Sequence, residues 1–600
     1  PRDAMGASVS CTGDDNACAH LCRADEIVTE PTADAEALPG SYVSTTDEHQ
    51  SQLAVAVETC ADEPTTSAST DPIRNYSDQV LRRHDTIEVK TKAGVASQRS
   101  SIMPLDEAEE LRAEALSKTN LPHVVGVPGN LQDPLTHYFI SSSHNTYLMG
   151  NQLAGKSSPD AIVSAIRMGA RLIELDLYDG LVHGISGPCV THGGTLTTAV
   201  DLKSCLSAIR GSAFELTDLP LIITLENHLR EEGQRRCATL LREEIGSMLY
   251  VLDDPTTLAT SWPRLDSLRG RVLVRDRALK IKEILASFDE DETEEEEDEV
   301  YDNIARKTPS ADKKAPSRVS CVASRAVHDD HLQVVSLHNV KFHNIPKNLG
   351  FAGVCTSSSM SSKKFSQSIK KSGLAQWRQY SACHLVRVYP HASHVDSSNF
   401  DPSHAWEAGC QMVALNFQGA LSFHSRELWI NAGKFRANGG CGFVPKPAHL
   451  LDTTRSARKA TVTVSVLEGV GWELFKNADS AFWDVFNLRG GADSYVCVEI
   501  VGCKADRRIG RTETFTVNKK SGPGSQPVWN STFEFLLEDL DLAVMLFTAW
   551  DSDEEFDDLL GQYAFPVADL RPGLRRVPLL NSAGREQEFD PALLCRFDCK

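Results

Sequence analysis

Arg171-Leu172-Ile173-Glu174-Leu175-Asp176-Leu177-Tyr178-Asp179 sets two carboxylates into an otherwise apolar run. Successive side chains of a β-strand alternate faces, so Glu174 and Asp176 point one way while Ile173, Leu175 and Leu177 point the other. Two carboxylates on one face repel unless a cation lies between them; a salt-bridged strand edge is the other way to hold such a pair. The neighbouring sequence has the same texture. Tyr138-Phe139-Ile140 leads into Ser141-Ser142-Ser143-His144-Asn145, and the apolar run 221–228 carries Glu226 near its end. Helical stretches at 158–169 and 234–249 lie between these strands. Strands alternating with helices predict a parallel sheet with crossover helices, which reads as a barrel-like α/β domain.

If these strands are neighbours in a barrel, Asn145, Glu174, Asp176 and Glu226 converge at its C-terminal rim, where barrel enzymes place their sites. Hard divalent ions want oxygen ligands, and Ca²⁺ takes six to eight of them. His144 and His192 would supply a proton-transfer pair, and a metal with two imidazoles suits phosphodiester cleavage. A histidine after a strand also serves as a hydrogen-bonded core or loop residue. Spacing alone leaves both readings open.

The rest of the chain frames this domain. Six hundred residues, 41% hydrophobic and 24% charged, is globular composition for roughly two to four domains. Lys+Arg 61 against Asp+Glu 82 gives a net −21, which argues against a nucleic-acid partner. Sixteen cysteines without a C-x-x-C pair read as the reduced thiols of a cytoplasmic protein. No apolar run approaches the roughly 18–20 residues of a membrane span. Residues 1–130 hold only two aromatic residues, Tyr42 and Tyr76, and read as mostly disordered, with a short helical lead-in at 105–116. Met5-Gly6-Ala7-Ser8-Val9-Ser10 fits the N-myristoylation pattern on Gly6, with Cys11 as a second acylation site, if translation starts at Met5. Residues 289–299 carry ten acidic residues in eleven, a self-repelling block inside a solvated linker spanning 280–328. Two readings of that block stand side by side: an inert spacer, or a linker draped over the active site that an anionic membrane would repel and lift off on docking. Barrel texture occupies 131–279 and resumes over 329–451. Then Thr461-Val462-Thr463-Val464-Ser465-Val466 and later alternating runs predict an antiparallel β-sandwich over 460–600.

The motifs themselves carry a resemblance. Ser141-Ser142-Ser143-His144-Asn145-Thr146-Tyr147, Glu174-Leu175-Asp176, His192-Gly193 and Leu225-Glu226-Asn227-His228 resemble the X region of eukaryotic phosphoinositide-specific phospholipase C. The runs at 385–390 (LVRVYP), 396–399 (DSSN), 409–418 (GCQMVALNFQ) and 438–447 (NGGCGFVPKP) resemble its Y region. The resemblance implies a TIM-type barrel split by the acidic linker, followed by a C2 sandwich. It implies Ca²⁺ on Asn145, Glu174, Asp176 and Glu226, and cleavage of phosphatidylinositol 4,5-bisphosphate through a cyclic phosphodiester to inositol 1,4,5-trisphosphate and diacylglycerol. Glu174 would take the proton of the attacking 2-hydroxyl, His144 would stabilise the phosphorane, and His192 would protonate the departing oxygen. Arg275, Arg277, Ser359, Arg387 and Tyr389 would contact the headgroup, the two arginines standing where the family has lysines. Leu153 and Leu196 keep two places of an apolar ridge that enters lipid, while a tryptophan place falls at Ser393. Asp493, Asp551, Asp553 and Asp558 match calcium positions of C2 loops, with an insertion at 480–491. No counterpart of a pleckstrin-homology domain is legible, so the C2 domain and acylation at Gly6 and Cys11 would recruit a cytoplasmic, peripheral membrane enzyme. The sequence names no regulatory partner. Two other readings remain: a catalytically inactive lipid-binding scaffold of the same fold, and cleavage of another glycerophosphodiester.

Overall fold

The computed structural model describes residues 112–129, 131–253, 261–277, 327–346, 355–418, 425–472, 492–516, 525–553 and 557–600. The acylation motif at Gly6 and Cys11, the acidic block and the 480–491 insertion lie outside the described residues.

Eight parallel strands form a closed ring: β1 (Tyr138–His144), β2 (Leu172–Asp179), β3 (Leu221–Asn227), β4 (Val272–Arg277), β5 (Leu337–Asn339), β6 (Thr356–Ser361), β7 (Leu385–Tyr389) and β8 (Met412–Asn416). Each pairs with the next in sequence, and β1 closes the ring against both β2 and β8. Around them run α1 (Pro159–Arg167), α2 (Leu202–Ser212), α3 (Glu231–Leu240), α4 (Asp329–Leu332), α5 (Ser362–Ser372), α6 (Leu374–Cys383), α7 (Ser403–Glu407) and α8 (Arg426–Phe435). Their starts are written locally. Ser158 caps α1 by accepting from the Asp160 N–H, with Pro159 at the first helical position, and Asp201 caps α2 through the Ser204 N–H.

The pleat sorts the strand residues into layers. Ile140, Leu172, Ile222, Leu273, Leu337, Leu385 and Met412 come together as an apolar floor. Two and four residues further along each strand, the same inward face carries Glu174 and Asp176, Thr224 and Glu226, Arg275 and Arg277, Arg387 and Tyr389. The outward face, including Ile173, Leu175, Ile223, Leu225, Val272 and Val274, packs in one cluster with α1, α2 and α3. The barrel is thus dry at its base and polar at its C-terminal mouth.

The C-terminal unit is a sandwich of two four-stranded antiparallel sheets. One orders β12-β9-β16-β15 and the other β11-β10-β13-β14, where β9 is Ala460–Val470, β10 Ser494–Val501, β11 Arg508–Arg511, β12 Val528–Leu537, β13 Val544–Asp551, β14 Asp558–Pro566, β15 Gly573–Pro578 and β16 Ala592–Cys599. Val462, Val464 and Val466 from β9 meet Val496, Val498 and Ile500 from β10 in its core.

Barrel and sandwich share a seam built on α8. Arg426 forms an ion pair with Glu499, Arg507 reaches Asp401 at 3.0 Å, and His449 Nε2 lies 2.8 Å from Asp539 Oδ2. A Cβ on Gly433 would lie 2.7 Å from Ala564 Cβ and 2.8 Å from Val544 Cγ1. Gly433→Leu is therefore expected to destabilise the protein by about 1–3 kcal/mol through overpacking. A thermal unfolding curve no lower than wild type would contradict this close approach.

The tail of the polar head, 112–129, is ordered along the sandwich. Arg112 Nε donates to Glu468 at 2.7 Å, Asn120 Nδ2 to the Leu574 carbonyl at 3.1 Å, and buried His123 lies 3.0 Å from the Tyr563 hydroxyl. The expected helical lead-in falls partly here, at 112–115, and the stretch beyond it is held by polar bonds to the sandwich that composition does not reveal. All eleven described cysteines are free.

Candidate active site

The mouth gathers the inward residues of β2 and β3 first. Register places Asp176 opposite Glu226, and one carboxylate oxygen from each of Glu174, Asp176 and Glu226 lies within 4.8 Å of the other two. Like charges about 4 Å apart repel by roughly 4 kcal/mol at an effective dielectric of 20. Local bonds relieve part of this. Arg387 forms an ion pair with Glu174, the Tyr147 hydroxyl donates to Asp176 Oδ2 at 2.6 Å, and His228 Nε2 sits 2.9 Å from Glu226 Oε1. Asp176 Oδ1 keeps no hydrogen-bond partner although it is buried. Burial, reinforced by Glu226 and Glu174, pushes the Asp176 carboxyl well above the usual carboxylate range. Burial pushes Glu226 the same way, but the His228 hydrogen bond and the charges of His228, Arg277 and His192 outweigh it and hold Glu226 low.

Asn145 begins the turn after β1 with φ 42°, a left-handed conformation that asparagine tolerates better than most residues. The turn aims its backbone N–H at Glu174 Oε2, 3.0 Å away, and its side-chain amide at Gln152 Oε1, 2.9 Å away. These oxygen donors, with a buried carboxylate oxygen unpaired among them, fit a hard divalent cation such as Ca²⁺.

The imidazoles flank the carboxylates, and both are oriented from behind. His192 Nδ1 lies 2.7 Å from the Gln152 carbonyl, which can only accept, so Nδ1 carries the proton and Nε2 is the nitrogen that titrates. His144 Nδ1 lies 2.9 Å from Asn416 Oδ1, whose identity as oxygen follows because Asn416 Nδ2 donates to the Ser398 carbonyl at 3.0 Å. Burial lowers the pKa of both rings. The His144 ring also stacks on Tyr389, centroids 6.0 Å apart, and the Arg387 guanidinium lies over the same Tyr389 ring, 5.0 Å from its centroid.

The two arginines of β4 differ in depth. Arg275 is 1% exposed and spends Nε on Ser357 at 2.9 Å and Nη2 on Asn339 and Ser359 at 2.6 and 2.7 Å. Burial first, then the neighbouring Arg387 charge, lowers its pKa to about 9. Arg277, one pleat further out, is exposed. At the rim, Leu196 is 87% exposed and its N–H donates to the Leu153 carbonyl at 2.8 Å, while Ser393 is exposed.

Gln152, Asn416, Tyr147 and Asn339 hold the site together and were not singled out from sequence. Asn416 lies inside the GCQMVALNFQ run at the end of β8 and could have been found by extending the inward period of that strand. Gln152 sits on a loop whose sequence carries no such signal.

In the sandwich, β13 carries Asp551 in register with Ser494 on one side and with Asp558 on the other, and the Ser552 N–H donates to the Asp493 carbonyl at 2.8 Å. Asp493, Asp551 and Asp558 therefore share one end of the sheet, with Asp553 just beyond β13. Their carboxylate oxygens do not draw together as closely as the three in the barrel. Among the described residues, no helix is long and apolar enough to cross a membrane.

A closed parallel barrel with its acidic and imidazole groups at the C-terminal mouth, joined to a sandwich, defines a barrel enzyme with an accessory domain. Residues 131–278 match the phosphatidylinositol-specific phospholipase C X domain, 331–449 the Y domain and 460–581 the C2 domain. The chain is 31% identical to phosphoinositide phospholipase C 4 of Arabidopsis thaliana, covering 80% of this chain and 82% of that one. It is 33% identical to 1-phosphatidylinositol 4,5-bisphosphate phosphodiesterase delta-1 of Rattus norvegicus, over 76% of this chain and 59% of the rat protein. The crystal structure of L. pealei PLC21 superposes with a TM-score of 0.62 at 26% identity, over 81% of this chain and 58% of that one. The chain belongs to the phosphoinositide-specific phospholipase C family.

Proposed function

We propose that this protein is a calcium-dependent phospholipase C that cleaves phosphatidylinositol 4,5-bisphosphate into inositol 1,4,5-trisphosphate and diacylglycerol. The observation that carries this reading is the meeting of three carboxylates and two oriented imidazoles in one mouth. Glu174, Asp176, Glu226 and Asn145 would hold Ca²⁺. The chemistry supplied by the bound ion is a lowered pKa at a coordinated hydroxyl and neutralised charge on the phosphate. Glu174 takes the proton of the inositol 2-hydroxyl as its oxygen attacks the adjacent phosphorus. Both rings act in their doubly protonated form, which the negative charge of a bound phosphate favours against the lowering by burial, and His144 donates from Nε2 to the phosphoryl oxygen where negative charge builds up. His192 passes its Nε2 proton to the diacylglycerol oxygen as the P–O bond breaks, leaving a cyclic phosphodiester. It then accepts a proton from the water that opens the ring while Glu174 returns its proton to the departing 2-oxygen, which restores both groups to their starting state.

Arg277, exposed at the end of β4, meets a ring phosphate directly, with Tyr389 and Arg387 lining the approach. Arg275 supports Ser359 from below. The C2 sandwich, with Asp493, Asp551, Asp553 and Asp558 at one end, and the rim with Leu153 and Leu196 face a phosphoinositide membrane from the cytoplasmic side.

Mixed micelles test the reading. Inositol phosphate release is expected with Ca²⁺ and not with a chelator, and faster from the bisphosphorylated lipid than from phosphatidylinositol. No release under any condition would instead favour an inactive lipid-binding scaffold.

A further inference from the structure

The outward side chains of β4 read Val272, Val274, Asp276, and the two valines sit in the apolar layer between barrel and helices. Asp276, in the same row, is 2% exposed. A carboxylate there costs several kcal/mol unless it is paired and fully hydrogen-bonded. It is both. Oδ2 accepts from His331 Nε2 at 2.6 Å and from Asn227 Nδ2 at 3.0 Å, and Oδ1 accepts from the backbone N–H of Arg277 at 2.6 Å.

The three donors come from different places. Asn227 ends β3 next to Glu226, Arg277 ends β4, and His331 lies in α4, on the far side of the acidic linker. His331 is wholly buried. Burial alone would strip its proton, but the hydrogen bond to Asp276 and the charge of that carboxylate outweigh it and raise the pKa to about 10. The 2.6 Å contact between His331 Nε2 and Asp276 Oδ2, both buried, is the geometry of a charge-assisted pair. The pair does not itself line the mouth but meets it through two neighbours: the peptide N–H of Arg277, whose side chain emerges there near Glu226, and Asn227, which follows Glu226 in the chain.

We propose that His331 and Asp276 are positioning residues for headgroup recognition: their buried ion pair fixes the last peptide of β4 so that Arg277 is presented to a phosphate of the inositol ring. This rests on the reading of Arg277 as a headgroup contact. A pair that served stability alone would leave the preference between the two lipids unchanged.

The test is a double-mutant cycle in the full chain, with kcat and KM measured on phosphatidylinositol 4,5-bisphosphate and on phosphatidylinositol in mixed micelles. His331→Leu and Asp276→Asn are each expected to lower the preference for the bisphosphorylated lipid by roughly tenfold, the scale of one charge-assisted hydrogen bond, chiefly through KM. Arg277→Ala lowers it at least as far, and adding His331→Leu to Arg277→Ala lowers it no further. Independent, multiplying effects would overturn the proposal, as would an unchanged preference in the His331 and Asp276 variants. An unchanged preference in Arg277→Ala alone would remove the headgroup role of Arg277 and the proposal with it. Should His331→Leu fail to fold, the isosteric Asp276→Asn carries the cycle with Arg277→Ala.

Discussion

His192→Ala is expected to lower kcat by roughly 10²–10⁴, the usual contribution of a positioned general acid. The Gln152 carbonyl holds Nδ1–H at 2.7 Å, so the ring has one orientation and Nε2 is the nitrogen that exchanges protons at the mouth. Loss of the imidazole leaves the departing diacylglycerol oxygen to leave as an alkoxide or to take its proton from water. A merely structural histidine would also cost activity, so the leaving group must be varied. With a substrate whose leaving oxygen belongs to an acidic phenol, protonation is hardly needed, and His192→Ala is expected to recover most of its rate relative to wild type. If the deficit is as large with the phenol as with diacylglycerol, His192 is not the acid. His144→Ala offers the contrast. Its Nε2 stabilises charge on the phosphoryl group, which builds up whatever the leaving group, so its deficit should persist with both substrates.

The difference in what these residues reveal from sequence has physical causes. The Glu174–Asp176 pair was legible because the period of a strand is two, and an apolar row on the opposite face made the assignment unambiguous. The order of barrel elements was legible for the same reason, since apolar runs and helical stretches alternate with regular spacing. Depth was not. Arg275 and Arg277 read as equivalent rim charges, yet one pleat separates a guanidinium locked to Ser357, Asn339 and Ser359 from one in solvent. How far a strand rises above its floor depends on register with neighbours such as β5 and β6, which lie some sixty to eighty residues away in the chain. The same holds for the Arg387–Glu174 pair and for His331 with Asp276, whose members come from opposite sides of the linker. Gln152 was illegible for another reason. It orients Asn145 through its side chain and His192 through its carbonyl, and a backbone acceptor leaves no mark on residue type.

The carboxylate cluster allows the sharpest separation of binding from folding. Asp176→Asn keeps shape and volume, removes one of the three carboxyl groups that can offer charge to an ion, and still offers an oxygen to the Tyr147 hydroxyl, which now bonds at 2.6 Å. In the presence of a chelator the variant is expected to melt no lower than wild type, because the buried carboxyl, unpaired at Oδ1 and pushed toward its neutral form by burial, Glu226 and Glu174, makes no bond there that the amide lacks. With Ca²⁺ the order reverses. An ion that binds only the folded state stabilises by about 2.7 kcal/mol at a hundred times its dissociation constant, so wild type should gain several degrees while the variant gains far less. Hydrolysis should fall by roughly 10² or more if charge stabilisation at the phosphate depends on this carboxylate. Calcium bound by the C2 end of the molecule could also raise the melting point, and a second variant separates the two. Asp551→Asn should leave the chelator-sensitive activity on monomeric, short-chain substrate intact, since that substrate needs no membrane docking. If Asp176→Asn retained both full activity and the full calcium shift, the barrel mouth would not be where the ion acts.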